Sequence, residues 1–482
     1  MPYRPTLQSV RRRVRPGWYD DAKLGIFIHW GLFAVPAFAP TGHGDLNEVL
    51  RREGFEGWFC LSPYSEWYIN SMRIPGSPTA RFHREQFGAD FPYQGFQPLF
   101  ERAAQAFDAA PWARLFARAH ARYVVMVAKH MDGYCLWPSR TPHPGIPGYG
   151  SARDLVGEVA EAVRREGLRF GVYYSSWLDQ SLTTTAMRDV VAFYTEGGPR
   201  TRAYARHQLA HWKELIDRYA PSVLWGDIAY PARSNLYELF ACFYDHVADG
   251  VVNDRWAQVP VPLEKILRRK AVRKLVTRLV EGAIRRGAPA RNPQSRHFDY
   301  ATYEYETPPD VRKEKWELCR GMSKGFGFNR NDTPDDHLDL TELIDLLADV
   351  VSKNGNLLLN VGPRADGSVP DEQRNLLKGL GRWLDVNGEA IFGTTPWTRA
   401  SSETADGTVV RFTRRGSSVY AIVCGTLSRR DLTLPGVHPP VARVSLLGGA
   451  GLEVHASSDP RGTSVEIGKP VPFPFPVLRF QD

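Results

Sequence analysis

The chain contains the stretch Pro221-Ser222-Val223-Leu224-Trp225-Gly226-Asp227, in which a short apolar run ends in an acid. Such a run, bounded by turn residues, is typical of a buried strand. An acid directly after a strand is usually the N-cap of the next helix. In parallel α/β folds, however, the carboxyl ends of the strands are also where substrates bind. How the other apolar runs end therefore decides how Asp227 is interpreted.

Eight short apolar runs, including this one, follow each other along the chain. They are residues 25–30, 123–128, 169–174, 223–227, 251–253, 300–304, 326–329 and 357–361. Stretches with helical periodicity separate most of them, for example 113–121, 155–166, 208–219, 236–247 and 340–351. Alternating strands and helices predict βαβ units and a parallel sheet. We therefore expect an α/β fold, a (β/α)8-like barrel over residues 1–395.

Polar or aromatic residues stand at the end of each of these runs. They are His29-Trp30, Lys129-His130, Tyr173-Tyr174, Asp227, Asp254-Arg255, Glu304, Asn329 and Asn360. A barrel brings all its strand ends to one face, and the active sites of this fold are built there. Eight such ends in succession are not explained by solvation alone. We therefore predict an active site at that face.

The last part of the chain has a different pattern. Residues that alternate between apolar and polar, with turn signals between them, occupy 408–413, 418–424, 431–434, 442–447 and 464–467. This spacing predicts a small antiparallel β-sandwich, and we place it at residues 396–482.

Two segments within the barrel region stand apart. Residues 39–61 are rich in Gly and polar residues, and we predict a long loop over the barrel mouth. Residues 263–286, within an insertion of about 257–297, combine spaced Leu, Ile and Val with many Lys and Arg. This pattern predicts one or two basic amphipathic helices. We favour a helix that packs on the barrel over one that contacts a membrane surface or a partner. Whether this insertion also covers the leaving-group side of the site stays open.

The bulk composition limits the classes of function. The 61 Lys and Arg against 53 Asp and Glu give a net charge of +8 over 482 residues, which is too mild to indicate nucleic-acid binding. The five cysteines lack metal or redox spacing, so we expect reduced thiols. No signal peptide or membrane-spanning run is evident, and we predict a cytoplasmic protein without membrane association. The oligomeric state, including a homo-oligomer, stays open.

Two carboxylates at strand ends, Asp227 and Glu304, suit the hydrolysis of a glycosidic bond. That chemistry needs one carboxylate and one carboxylic acid that flank the bond to be broken. The alternative is a divalent-metal site with His29, His130, Asp227 and Glu304 as ligands. Because the local spacing matches no known metal motif, we favour a glycosidase over a metallohydrolase and expect neither a metal nor a cofactor.

Further stretches of the chain resemble the α-L-fucosidases of glycoside hydrolase family 29. The matching residues are Gly25-Ile26-Phe27-Ile28-His29-Trp30-Gly31, Ser65-Glu66-Trp67-Tyr68, Lys129-His130-Met131-Asp132-Gly133-Tyr134, Val223-Leu224-Trp225-Gly226-Asp227, Asn253-Asp254-Arg255-Trp256, Trp316-Glu317, Gly327-Phe328-Asn329-Arg330, residues 356–363 with Asp366-Gly367, and residues 387–394. They run in the family's order from about Trp18 to Trp397. Each motif is short, but their combination is specific.

The resemblance implies a retaining mechanism through a covalent glycosyl-enzyme, with a fucosylated oligosaccharide or related small glycan as the substrate. At the matching positions, Asp227 is the nucleophile and Glu304 is the general acid/base. Glu66 is the nearest competitor for the second role, because the acid/base varies in position across the family.

The resemblance also implies a set of sugar contacts. The residues that would face the sugar are His29, Glu66, Trp67, His130, Tyr173 and Arg255, with Trp225 and Phe326 as apolar walls and Phe326 near the C6 methyl. Arg255 also adds positive charge beside Asp227, which favours the ionised carboxylate. Core packing is the competing interpretation for Tyr173, Trp225 and Phe326, and a structural role is the competing one for His29.

One position departs from the family pattern. Family members usually have two adjacent histidines where this chain has His130-Met131. Methionine has no donor for the sugar hydroxyl that the second histidine contacts, and losing a buried hydrogen bond costs roughly 1–3 kcal/mol. The departure is compatible with weak activity, with a related L-sugar or deoxy sugar as substrate, or with a non-catalytic carbohydrate-binding homologue. We expect Met131→His to raise activity on a fucoside.

Overall fold

The computed structural model describes residues 2–288, 292–427, 430–471 and 473–481. Its β-strands are β1 Leu24–Ile28, β2 Tyr123–Lys129, β3 Arg169–Tyr174, β4 Val223–Gly226, β5 Val251–Val252, β6 Ala301–Glu304, β7 Trp316–Gly321, β8 Gly355–Val361, β9 Thr395–Glu403, β10 Val409–Arg415, β11 Ser418–Val423, β12 Asp431–Pro435, β13 Arg443–Leu446, β14 Val454–Asp459, β15 Gly462–Ile467 and β16 Val477–Gln481. Its α-helices are α1 Leu7–Val10, α2 Gly17–Ala22, α3 Leu46–Leu61, α4 Tyr68–Ser71, α5 Pro78–Phe87, α6 Phe96–Ala103, α7 Ala110–Arg118, α8 Leu155–Arg165, α9 Val190–Thr195, α10 Arg202–Tyr219, α11 Leu236–His246, α12 Val261–Leu267, α13 Lys270–Arg285, α14 Leu340–Ser352 and α15 Asp371–Asn387.

The first eight strands form one parallel sheet that curls into a barrel. Its strand order is β5-β4-β3-β2-β1-β8-β7-β6, so the last strand pairs with the first. Strands β5 and β6 are the two edges of the sheet, and Asp299 connects them. Its N–H donates to Val252 O at 2.9 Å, and its Oδ2 accepts from Val252 N at 2.8 Å. The predicted (β/α)8-like barrel is confirmed.

The strands of this barrel are buried on both faces, which explains why the sequence shows continuous apolar runs. Every residue of β1, β2 and β8 is buried. Several outer helices begin at side-chain caps, since Asp154 caps α8, Thr201 caps α10, and Asp339 forms a capping box with Glu342 at the start of α14. The predicted helices between the strands are confirmed, although α10 begins earlier than expected.

One of the eight predicted strands is wrong. Residues 326–329 lie in the loop after the seventh strand, and that strand is β7 instead. The error arises because β7 carries Glu317, whose charge interrupts the apolar run. Inside the barrel, Glu317 is fully buried and its Oε2 accepts from Tyr19 OH at 2.8 Å and from Tyr123 OH at 2.6 Å. Asn329 consequently stands in a loop rather than at a strand end.

The long loop predicted at residues 39–61 is wrong for most of its length, because α3 occupies Leu46–Leu61. Asp45 caps this helix and forms a capping box with Glu48. The helix is bent at Gly54, whose φ of 72° lies in the left-handed region that glycine adopts without strain. The glycines and polar residues that suggested a loop belong to this cap and this bend.

The C-terminal region is an antiparallel β-sandwich, as predicted. One sheet has the order β13-β16-β11-β10-β9 and the other has the order β12-β15-β14. Side chains between them, including Phe412, Leu434 and Phe480, form a separate hydrophobic core. The sequence missed β9, β14 and β16; most residues of β14 are exposed, so this strand lacks a buried face. The boundary between residues 395 and 396 stays a prediction.

The basic insertion forms two helices, α12 and α13, as its pattern predicted. Helix α13 packs against α3 and α9, the helices in the segments that follow β1 and β3. No helix in the described ranges is long and apolar enough to cross a membrane. All five cysteines are free thiols. The cytoplasmic location and the lack of nucleic-acid binding stay predictions, and the oligomeric state stays open.

Candidate active site

A cavity of about 580 Å³ opens at the carboxyl ends of the barrel strands. This volume is within the range of roughly 300–1,000 Å³ that is usual for small-molecule sites. All the site residues nominated from the sequence line it, namely His29, Glu66, Trp67, His130, Tyr173, Trp225, Asp227, Arg255, Glu304 and Phe326. The structure thus brings together every candidate, while the role of each one stays a prediction.

Arg255 joins the two candidate catalytic carboxylates. Its Nη1 donates to Asp227 Oδ1 at 3.1 Å, and its Nη2 donates to Glu304 Oε2 at 2.7 Å. The three side chains are 9%, 13% and 15% exposed, in the order Arg255, Asp227, Glu304. Because a guanidinium is planar and rigid, it fixes how the two carboxylates stand relative to each other. Two carboxylates are therefore held side by side at one cavity.

Two tyrosines hold the remaining oxygens of this pair. Tyr173 OH donates to Asp227 Oδ2 at 2.8 Å, and Tyr64 OH donates to Glu304 Oε1 at 2.7 Å. Each carboxylate is therefore bound by one arginine nitrogen and one tyrosine hydroxyl. The sequence did not nominate Tyr64; the signal that marks it is its position directly before Ser65-Glu66-Trp67.

The charge state of Asp227 results from opposing effects. Burial raises the pKa of Asp227, Arg255 lowers it, the nearby Glu304 raises it, and the hydrogen bond from Tyr173 lowers it, with a net shift upward. The expectation that Arg255 favours the ionised form is correct in direction. The net shift is nevertheless upward, because the desolvation of the carboxylate outweighs the arginine.

Trp225 forms the wall behind this pair. Its ring lies 5.5 Å from that of Tyr173 in a stacked arrangement, and the Arg255 guanidinium lies 5.0 Å from its centroid. Its indole Nε1 donates to Glu317 Oε1 at 2.9 Å. Trp225 therefore contacts the site with its face while its edge is anchored in the barrel interior.

Two histidines stand on the other side of Tyr173. His29 Nδ1 is 2.7 Å from Asn360 Oδ1, and burial lowers the pKa of His29 to about 3, so the ring is neutral at pH 7. His130 stacks on the Tyr173 ring at 5.5 Å, and its buried Nδ1 has no hydrogen-bond partner within the described chain. His130 lines the cavity as a residue, whereas this Nδ1 is itself closed off from solvent.

Glu66 sits in the 3₁₀ turn Ser65–Trp67, and its Oε2 accepts from Gly327 N at 2.8 Å. Burial raises the pKa of Glu66 to about 8, so this carboxyl is protonated at pH 7. Trp67 stacks on Phe193 at 5.8 Å. Phe326 lies 4.9 Å from the His29 ring and is 6% exposed, so it both lines the cavity and packs in the core.

The structure also bears on two other expectations, the alternative metal ligand set and the position of Met131. Within the described ranges, His, Cys, Asp and Glu side chains form no group of three that could hold a metal ion, so the proposed ligand set does not assemble. Met131 is fully buried in the hydrophobic core and is not among the residues that line the cavity. Its side chain is therefore packed in the core and lines no part of the cavity in this structure.

The sequence also missed part of the cavity wall. Apolar side chains of α3, α9 and α13 line it, among them Leu50, Trp58, Val191 and Leu279. The sequence predicts residues 39–61 as a loop over the barrel mouth and leaves open a cover on the leaving-group side by the insertion, but it nominates none of these side chains. Their approach to the site depends on how the segments after β1, β3 and β5 fold over the strand ends.

A barrel whose strand ends hold two buried carboxylates, surrounded by aromatic and histidine side chains, has the features of a glycoside hydrolase. The sequence model of the α-L-fucosidase family matches residues 1–389. The chain belongs to this family and is a glycoside hydrolase.

Individual relatives agree with this membership. The chain is 33% identical to the α-L-fucosidase of Branchiostoma floridae over 461 residues, which covers 93% of this chain and 88% of that one. It is 32% identical to the α-L-fucosidase of Dictyostelium discoideum, covering 87% and 80%. The crystal structure of the Thermotoga maritima α-fucosidase in complex with fucose matches with a TM-score of 0.81 at 36% identity, covering 99% of this chain and 100% of that one.

Proposed function

We propose that this protein is a retaining exo-α-L-fucosidase that releases terminal fucose from an oligosaccharide or glycoconjugate. The observation that carries the proposal is the pair of carboxylates, Asp227 and Glu304, held by Arg255 at one cavity. Family membership and a relative that was crystallised with fucose support the choice of sugar.

In the first step, the ionised Asp227 attacks the anomeric carbon and forms a covalent ester. The bond between that carbon and the leaving oxygen breaks, and the Glu304 carboxyl gives its proton to this oxygen. Tyr173 and Arg255 each donate to Asp227, so they orient the attacking carboxylate and stabilise its ionised form. Burial acts in the opposite direction and makes the carboxylate a stronger nucleophile.

In the second step, Glu304 takes a proton from water, and the resulting hydroxide attacks the anomeric carbon from the side that the leaving group vacated. The ester bond breaks, fucose leaves with its original configuration, and Asp227 is regenerated. Glu304 alternates between two protonation states, and the Tyr64 hydroxyl can serve both, since it donates to the carboxylate and accepts from the acid.

The surrounding residues supply recognition. The neutral His29, the ring of His130 and the protonated Glu66 line the cavity and are polar groups that can bind sugar hydroxyls. Phe326 and Trp225 offer apolar surface, which suits the C6 methyl of a deoxy sugar. This separation of polar and apolar walls supports a 6-deoxy sugar in the cavity.

The test is hydrolysis of 4-nitrophenyl α-L-fucoside, run beside the β-D-galactoside and the α-L-arabinoside. Asp227→Ala is compared with Asp310→Ala, which removes an exposed aspartate away from the cavity. We expect turnover of the fucoside, its loss in Asp227→Ala and its retention in Asp310→Ala. A proton NMR spectrum of the first sugar formed should show the α anomer. Normal activity in a folded Asp227→Ala protein, or a β anomer, would contradict the proposal.

A further inference from the structure

The polarity of the side chains that line the cavity differs between its floor and its mouth. The floor holds the polar strand ends, whereas the mouth is formed by helices that surround them. The apolar side chains there include Leu50 and Trp58 of α3, Val191 of α9, and Val276, Leu279 and Val280 of α13. Leu279 lines the cavity although it is 61% exposed, which places it at the opening.

Helix α13 contributes an apolar stripe to this mouth. Positions 276, 279, 280, 283 and 284 line the cavity, and this spacing puts them on one face of the helix. Such a stripe normally packs against a protein core, and Ile284 at its end does so, with 5% exposure. Leu279 in its middle remains open to the cavity. Exposed apolar surface that continues into a binding cavity indicates a ligand with an apolar part.

The mouth is anchored to the rest of the fold. Arg273 of α13 donates to Asp189 Oδ2 at 2.7 Å and to Glu196 Oε1 at 2.8 Å, which ties the helix to both ends of α9. Glu281 Oε1 accepts from Phe55 N at 2.9 Å, at the bend of α3. Because α13 is fastened on two sides, its apolar stripe is a fixed wall of the cavity.

We propose that this mouth is a subsite for an apolar aglycone, so that the preferred substrate carries fucose on an alkyl or aryl group rather than on a second sugar. The proposal rests on the function proposed above. If the fucosyl ring occupies the polar floor, its leaving group has to extend along the apolar mouth to reach solvent. A second sugar there would be desolvated without forming enough hydrogen bonds to compensate, which costs free energy. The burial of an apolar chain there is favourable, because it removes apolar surface from water.

The test compares methyl, butyl and octyl α-L-fucosides with an α-L-fucosyl-(1→2)-galactoside. We expect the KM to fall from methyl to octyl, by up to about fourfold for each methylene that becomes buried, and the disaccharide to bind no better than the methyl fucoside. A KM that does not depend on chain length, or a KM for the disaccharide below that for the octyl fucoside, would overturn the proposal.

The variant Leu279→Ser has a matched control in Leu275→Ser. Both leucines lie on α13 and are similarly exposed, at 61% and 57%, but only Leu279 is among the described residues that line the cavity. We expect Leu279→Ser to reduce the octyl-to-methyl preference by about three- to tenfold and Leu275→Ser to leave it unchanged. Equal effects of the two variants would count against the subsite.

A binding measurement separates this proposal from the one on which it rests. Calorimetry with the Asp227→Asn protein gives the Kd of the octyl and methyl fucosides without turnover. Tighter binding of the octyl fucoside supports the subsite even if the wild type hydrolyses no fucoside, in which case only the proposed activity fails. Equal Kd values overturn the subsite and leave the activity standing.

Discussion

The indole Nε1 of Trp225 donates a 2.9 Å hydrogen bond to Oε1 of Glu317, inside the barrel. The other oxygen of Glu317 accepts from Tyr19 and Tyr123, so one buried carboxylate satisfies three donors. Since the ring face of Trp225 contacts Arg255 and Tyr173, the hydrogen bond from its edge connects the barrel core to the candidate catalytic pair.

Replacing Glu317 with Gln should destabilise the fold. A glutamine has one acceptor oxygen, so its NH₂ group faces at least one donor and leaves it unsatisfied. We expect the free energy of unfolding to fall by about 1–3 kcal/mol, measured by urea denaturation. Glu314→Gln is the control, because that side chain is 75% exposed. An unchanged stability in Glu317→Gln would show that the three donors find other partners.

Replacing Tyr173 with Phe should change the pH dependence of activity. The Tyr173 hydroxyl lowers the pKa of Asp227, whose net shift is upward, so its removal raises that pKa further. Because Asp227 acts as the ionised form, the acid limb of kcat/KM should move to higher pH. Tyr134→Phe, which removes a hydroxyl bonded to Glu101 outside the cavity, should leave the limb in place. If the acid limb stays at the same pH in Tyr173→Phe, the ionisation of Asp227 does not cause that limb.

Glu66 should make the fold less stable as the pH rises. Its pKa is about 8 in the folded protein against an ordinary value of 4.5, so the folded state binds the proton more tightly. The stabilisation is fully present below pH 4.5 and is lost as the pH rises towards 8, at about 1.4 kcal/mol per pH unit. Glu66→Gln should reduce the slope of the unfolding free energy against pH by about this amount relative to the wild type, whereas the exposed Glu85→Gln should leave the slope as it is. The same slope in Glu66→Gln as in the wild type would refute the assignment.

The choice of acid/base between Glu304 and Glu66 can be made with leaving groups of different quality. A variant that lacks the acid loses most activity on substrates whose leaving group needs a proton, and least on activated ones. We expect Glu304→Gln to reduce kcat/KM by about 10²–10⁴-fold on a methyl fucoside and far less on a 4-nitrophenyl fucoside. Glu66→Gln should affect the two substrates equally. The reverse pattern would assign the role to Glu66.

Met131→His should not raise activity, contrary to what the sequence suggested. Met131 is fully buried and does not line the cavity, so a histidine there would bury a polar ring among apolar side chains. We expect a loss of roughly 1–3 kcal/mol in the free energy of unfolding. Met131→Leu conserves volume and should cost less than about 1.5 kcal/mol. An increase in kcat/KM on a fucoside would restore the original expectation.

The sequence by itself determined the barrel, the sandwich and ten of the residues that line the candidate site. Burial on both faces makes strands such as β2 and β8 continuous apolar runs, and the residues that end such runs, Asp227 and Arg255 among them, mark one face of the barrel. These are local patterns, and they are visible without coordinates. Even Glu66, which follows no strand, was found through its short motif.

Only the tertiary structure decided what depends on contacts between distant residues. Glu317 lies 298 residues from Tyr19 and 92 from Trp225, so nothing local shows that its charge is satisfied inside the barrel or that β7 is a strand. The core position of Met131 and the apolar mouth formed by α3 and α13 are likewise set by packing. The net rise in the pKa of Asp227 also needed coordinates, because desolvation depends on everything that surrounds a charge and not only on its nearest partner.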